Sequence, residues 1–245
     1  LLEAGKLLAL IPGWAWSHDF HGYCRHAVGT APFAWELTQA EAVLTARVER
    51  SAAYWRTMED GYWKPLQEGG LGAMEGFFGP HEQYFAIDGG KFPSKALVTG
   101  RKDGIRYAFT LGVAALCMPH VEQYHQEDAG DHRRMELAFA ARGDLPDEDW
   151  MKALGFLSGV SGYPWREITW LGHGHTLLLP EGRIPGFAAV LLLDGRKLPE
   201  VPVPAFPPVM GEPVCPLWMV PITKAEYDLA VESIEPVILE KYQGA

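Results

Sequence analysis

The sequence predicts an α+β fold, a mixed and largely antiparallel β-sheet packed with helices, and three observations carry that prediction. Short aromatic and aliphatic runs, separated by turn residues, recur from Gln83 to Leu193. Two segments, Thr38 to about Met58 and Asp147 to Leu157, carry apolar residues at helical spacing. The stretch Leu217-Trp218-Met219-Val220-Pro221-Ile222 reads as a buried strand running into a helix that begins at Thr223. Runs of strands with two or three interleaved helices define the class.

The elements follow in chain order. Leu1 to Leu10 is expected to form a short helix stopped at Pro12-Gly13, and Trp14 to Trp35 has no clear period. Thr38 caps the next helix and Glu41 completes its capping box. Gly69, Gly70 and Gly72 then mark a break, dividing an N-terminal extension (1–70) from the main domain (71–245). Strands are expected over Gln83 to Ile87, Ala96 to Val98, Arg106 to Leu116 and Arg134 to Ala140. Ile105 to Leu111 alternates poorly, as a central strand covered on both faces would. His120 to Asp131 reads as a polar loop. In the helix from Asp147, Trp150, Met151, Leu154 and Leu157 share a face, and Gly159 is placed as its C-terminal stop.

Three more strands are expected over Glu167 to Leu171, Thr176 to Leu179 and Phe187 to Leu193. Pro199 to Pro221 holds eight of the 19 prolines, a density that forbids helix and favours an ordered, extended crossing. At the last helix, Thr223 and Glu226 form a capping box flanked by Ile222 and Tyr227 as a hydrophobic staple.

Composition narrows the function. The 245 residues are 48% hydrophobic and 21% charged, an ordinary folded chain. A formal net charge of −10 argues against nucleic acid, which needs a basic surface, and suits a basic protein partner. No apolar run approaches the roughly 20 residues that span a bilayer. Cys24, Cys117 and Cys215 are odd in number, far apart and without metal spacing, so a reducing compartment, the cytoplasm, is expected. The opening Leu1-Leu2-Glu3-Ala4-Gly5-Lys6 is expected to be too short and too acidic for a signal peptide's basic region and apolar core.

Chemistry has few candidates. His173-Gly174-His175 would project both imidazoles to one side if extended, the start of a metal site, with Glu136, His120 or His125 as a third ligand. The competing reading is a glycine-flanked turn in which His175 bridges backbone groups and His173 faces solvent, and it is preferred. His18, His21, Cys24 and His26 fit no zinc spacing and are assigned to packing. Ser161 follows a helix, not a strand, so Gly159-Val160-Ser161-Gly162 is no nucleophile elbow. The glycines from 69 to 79 make neither a dinucleotide fingerprint nor a P-loop. No catalytic residue, cofactor or resident metal is assigned. Among the tryptophans, Trp150 and Trp218 fit core positions, whereas Trp165 and Trp170 flank the loop before the histidine turn, where an amphipathic ring can serve a partner.

Five segments in order carry a resemblance: Phe77-Phe78-Gly79-Pro80-His81, Leu97-Val98-Thr99-Gly100, Arg133-Arg134-Met135-Glu136-Leu137, Gly172-His173-Gly174-His175-Thr176, and the strand running into Val220-Pro221-Ile222-Thr223. Together they resemble the suppressor of fused family, over roughly residues 71–242 and in a stand-alone bacterial form. The resemblance implies a non-enzymatic protein-binding module. Animal members clamp an extended segment of a transcription factor as an added strand. The corresponding region here is about Leu157 to Thr176, so Tyr163, Trp165, Trp170, His173, His175 and Thr176 are the candidate partner-binding residues. The chain departs from the animal pattern by having Gly174, preceded by His173, where an acidic residue precedes the turn histidine. Short one-lobe members resemble immunity proteins that block a toxin. The expected partner is therefore a protein, a basic toxin or an extended peptide segment, with a metal-dependent hydrolase centred on His173 and His175 as the alternative.

Overall fold

In the computed structural model, the apolar runs between Gln83 and Ile222 pair into one seven-stranded sheet. The described residues are 63–232, apart from 90–93, 119–120, 122–124 and 168, together with four two-residue strands nearer the N-terminus. Those four are β1 (Leu2–Glu3), β2 (Lys6–Leu7), β3 (Ala9–Leu10) and β4 (Trp35–Glu36). The sheet contains β5 (Gln83–Ala86), β6 (Ala96–Lys102), β7 (Ile105–Leu111), β8 (Arg134–Arg142), β9 (Thr176–Leu178), β10 (Ala189–Asp194) and β11 (Val214–Ile222). Its order is β5-β6-β7-β8-β11-β10-β9. Only β8 and β11 run parallel, and every other neighbouring pair is antiparallel. The expected mixed, largely antiparallel α+β fold is the fold observed.

Helices cover both faces. The described ones are α1 (Trp63–Phe78), α2 (Asp147–Val160), α3 (Tyr163–Arg166) and α4 (Lys224–Glu232). On one face, Trp150, Leu154 and Leu157 of α2 pack with Leu137, Leu192 and Leu217 from the sheet. On the other, Met74, Phe77 and Phe78 of α1 pack with Phe109, Leu191 and Trp218, and Phe206 of the proline-rich crossing and Tyr227 of α4 join them. Because both faces are covered, alternate residues of β10 and β11 divide between two cores, and their sequences read as unbroken apolar runs.

Strand β11 contains two prolines in mid-sheet, where a missing N–H normally breaks a ladder. Pairing with β8 covers Val214 to Trp218, and pairing with β10 covers Leu217 to Ile222. Pro216 and Pro221 therefore each lie where β11 has a neighbour on one side only. Beyond β11, Thr223 accepts from the Glu226 amide at 3.3 Å while the Glu226 carboxylate accepts from the Thr223 amide at 2.8 Å. This is the expected capping box. Thr223→Ala is expected to cost about 1 kcal/mol in urea unfolding, and Thr223→Ser, which keeps the hydroxyl, a few tenths.

Several local expectations are corrected. Where a helix is expected over Leu1 to Leu10, the described residues Leu2–Glu3, Lys6–Leu7 and Ala9–Leu10 are strands, and the register of β1 with β2 pairs Glu3 with Lys6. A glycine at the centre of so short a segment disfavours helix. The glycines at 69, 70 and 72 lie inside α1 and mark no break. A Cβ at Gly70 would lie 2.3 Å from Leu111, so the glycine lets the helix backbone approach β7. Gly159 lies within α2, which ends at Val160 with Ser161 as its C-cap. None of the described residues from Glu167 to Leu171 lies in a strand: α3 precedes them, the Thr169 amide donates to Pro164, and the Leu171 amide donates to the Met118 sulfur. The expected polar loop before Arg134 contains a 3-10 helix, Gln126–Asp131. The expected helix over Thr38 to Met58 and the His18, His21, Cys24 and His26 group lie outside the described residues.

The strand from Ile105 stops at Leu111, short of the expected Leu116, because Gly112 turns the chain at φ 94° into a 3-10 turn, Val113–Ala115. Two side chains on one face of β8 hold that turn. Arg134 donates to the carbonyls of Ala114 and Ala115 at 2.9 and 3.0 Å. Glu136 accepts from the amides of Gly112 and Ala114 at 2.8 and 3.1 Å, and from the Thr110 hydroxyl at 2.6 Å. The cation thus takes the turn's acceptors and the carboxylate takes its donors.

Candidate functional site

The candidate residues cluster at the end of the sheet that β9 closes. Ser161-Gly162 ends α2 and Pro164 starts α3 near its first position, where a missing N–H costs nothing. Trp165 of α3 donates its indole N–H to the Cys117 carbonyl at 2.9 Å. The next residue, Met118, receives the Leu171 amide through its sulfur at 3.4 Å. Trp165 and the chain after Trp170 therefore converge on one short segment. Tyr163 is half-buried against the α2-side core, with the Arg166 guanidinium 5.6 Å from its ring centroid.

The histidine turn is built on β10. Gly174 adopts φ 87°, a left-handed conformation that favours glycine, and its amide donates to Leu192 at 2.8 Å. The Leu192 amide returns a bond to the His175 carbonyl at 2.8 Å. His173 is not solvent-facing as expected: it is half-buried, and its Nδ1 accepts from the Asp194 amide at 3.1 Å. That bond caps the end of β10. The His175 ring sits edge-on to Trp170, with centroids 4.3 Å apart. The expectation that an extended His-x-His would point both rings to one side fails at Gly174, since the left-handed residue turns the chain between them. Burial holds both imidazoles below the ordinary histidine range. Lys197 adds to that for His173, while a hydrogen bond to the Trp170 backbone opposes it for His175. Among the described residues no three His, Cys, Asp or Glu side chains are grouped to hold an ion.

Trp170, His173, His175 and Thr176 are thus neighbours on one strip, with Tyr163 and Trp165 beside it on α3. Two features of the strip had no signal in the sequence. Trp170 also packs edge-on to His125 at 4.6 Å, and His125 stacks on His132 at 3.8 Å. Leu178 and Phe187 are exposed, 62% and 42%, at the sheet's end. The apolar run Thr176-Leu177-Leu178-Leu179 contains no alternation that would tell its inward side chains from its outward one.

The profile of the suppressor of fused protein family matches residues 90–243, more than half of the chain. This chain belongs to the suppressor of fused family. No curated protein and no solved structure matches it. The suppressor of fused match begins before β6 and runs beyond α4, so it includes the Arg134/Glu136 turn clamp, the histidine strip and the closing capping box. The Phe77 to His81 segment precedes the match, at the end of α1. No described helix of this suppressor of fused domain is long and apolar enough to cross a membrane.

Proposed function

We propose that the chain is a non-enzymatic protein-binding domain, a bacterial immunity-type protein of the cytoplasm. It covers a protein partner such as a basic toxin, and docks an extended segment of that partner along the outer edge of β9. The open edge carries this reading. Strand β9 ends the sheet, and none of the described strands pairs with its outer side. On the inner side, the Leu179 amide donates to Ala188 and the His175 carbonyl accepts from Leu192. By the alternation of an antiparallel ladder, Thr176 and Leu178 turn their own backbone groups outward. An added strand would find those groups beside the exposed Leu178 and Phe187 side chains, the pattern by which backbone bonds give affinity and apolar contacts give specificity. A net charge of −10 favours a basic partner.

Leu178→Pro tests the edge, because it removes only an outward N–H and leaves the β10 ladder intact. In affinity capture from the native host, the wild-type chain is expected to retain a stoichiometric partner. Leu178→Pro is expected to bind it about tenfold or more weakly, the worth of one hydrogen bond at an interface. Its urea midpoint should stay near wild type. Undiminished binding by the proline variant would remove β9 as the docking edge. Stoichiometric metal without a partner would move the argument to His173 and His175 as ligands.

A further inference from the structure

His125 and His132 flank the 3-10 helix Gln126–Asp131 as its N-cap and C-cap. Their rings are stacked with centroids 3.8 Å apart and planes 19° from parallel. The turn between them buries Ala129, and its Asp131 carbonyl accepts from Arg196. Trp170 lies edge-on to His125 and, on its other side, to His175 of the β9 turn. The stacked pair therefore joins the 126–131 turn to the strip that leads into β9.

We propose that residues 125–132 are an acid-released clasp: the stacked neutral imidazoles hold the turn closed against Trp170, and their protonation opens it. The groups facing the pair favour opening. Lys197 acts on both rings, Arg196 on His132, and His175 beyond Trp170 on His125, while Asp128 opposes them at His125 and Asp194 at His132. Asp194 is already committed to Arg196 through its side-chain bonds. His125 Nε2 is buried and has no hydrogen-bond partner among the described residues, so an imidazolium there would hold an unpaired N–H away from water. Two stacked imidazolium rings would also repel each other at close range. Burial, the largest cause, and these cations hold both groups below the ordinary value of 6.5. The closed turn is accordingly at full strength above about pH 6.5 and is lost as pH falls below it.

That acid weakens partner binding rests on the docking reading above; the clasp itself does not. Native-state hydrogen exchange on the full chain tests it without a partner. Protection of the amides in 126–132, corrected for the intrinsic exchange rate, is expected to fall about tenfold or more between pH 7.5 and 5, since one pH unit of differential proton affinity is a factor of ten. His132→Phe keeps a flat ring without the charge and should hold its protection across the range. Imidazole proton spectra of the wild-type chain give a second readout independent of that variant's folding, with His125 and His132 expected to titrate below 6.5 in coupled steps. Flat protection in the wild type, equal loss in His132→Phe, or ordinary independent titration of the two rings would overturn the clasp. Expected exchange behaviour with no partner at β9 would leave the clasp standing and sink the docking reading alone.

Discussion

Replacing Trp218 by alanine is expected to cost about 3–5 kcal/mol, a large part of the stability of a domain this size. The indole sits on β11 in the sheet interior, 7% exposed, with Phe109 and Tyr107 at centroid distances of 5.4 and 6.2 Å. Gly195 lies against it so closely that an added Cβ would come within 3.0 Å of the indole nitrogen. The surroundings are strands and a tight turn that cannot collapse into the space, so the cavity term adds to the lost transfer energy. Trp218 Nε1 is buried and has no hydrogen-bond partner among the described residues. Trp218→Phe therefore loses area but removes an unsatisfied N–H, and is expected to cost only about 1 kcal/mol. Urea midpoints of the two variants decide this. A near-neutral alanine variant would mean that β11 is not the closing core strand.

That strand shows why the sheet was legible and its order was not. Leu217 to Ile222 reads as buried because every position between two packed faces is apolar or small, and β10 reads the same way for the same reason. Local pattern says nothing about neighbours, and the parallel β8–β11 contact joins segments about 80 residues apart in register Val214 with Arg134. The errors have local causes. Gly70 and Gly159 resemble stops, yet each lies inside a helix, Gly70 because a strand side chain occupies the space a Cβ would need. Glu167 to Leu171 has strand-like composition, but its amides go to Pro164 and to a methionine sulfur instead of a ladder.

The candidate strip was half legible. Glycine at 174 announced a turn, and the histidines on either side announced polar contacts, but not with which groups. His173 caps β10 through Asp194, a residue 21 positions away, and His175 packs on Trp170. The seven-residue interval between His125 and His132 gives no periodic signal, since a 3-10 turn that folds back on itself has none to give. Arg134 was visible only within a family-like motif, and Glu136 there and as a candidate third ligand for the histidine pair. Their use, one residue for a turn's carbonyls and the next but one for its amides, needs the turn to be placed above β8 first.

Glu136 carries the second large effect, and it is a dependence on pH. Its carboxyl is 3% exposed, and burial pushes it up to about 7 against the opposing bonds from Thr110 and the backbone of the turn. The unfolded chain releases the same proton near 4.5. Between those values the folded chain binds more protons than the unfolded one, so stability falls as pH rises through the window. The contribution is complete below about 4.5 and gone above about 7, a difference of about 3 kcal/mol. Glu136→Gln keeps an oxygen for the Gly112 and Ala114 amides and carries no charge to bury, so its stability has no such fall. Other groups, the buried histidines among them, titrate equally in both chains and cancel from the comparison. Urea unfolding of the two side by side is expected to give similar midpoints at pH 4.5, with the glutamine variant gaining about 3 kcal/mol over the wild type by pH 7.5. A difference that stays flat would mean that the turn's amides and the Thr110 hydroxyl hold Glu136 ionised throughout, so that a carboxylate and not a protonated carboxyl holds the turn.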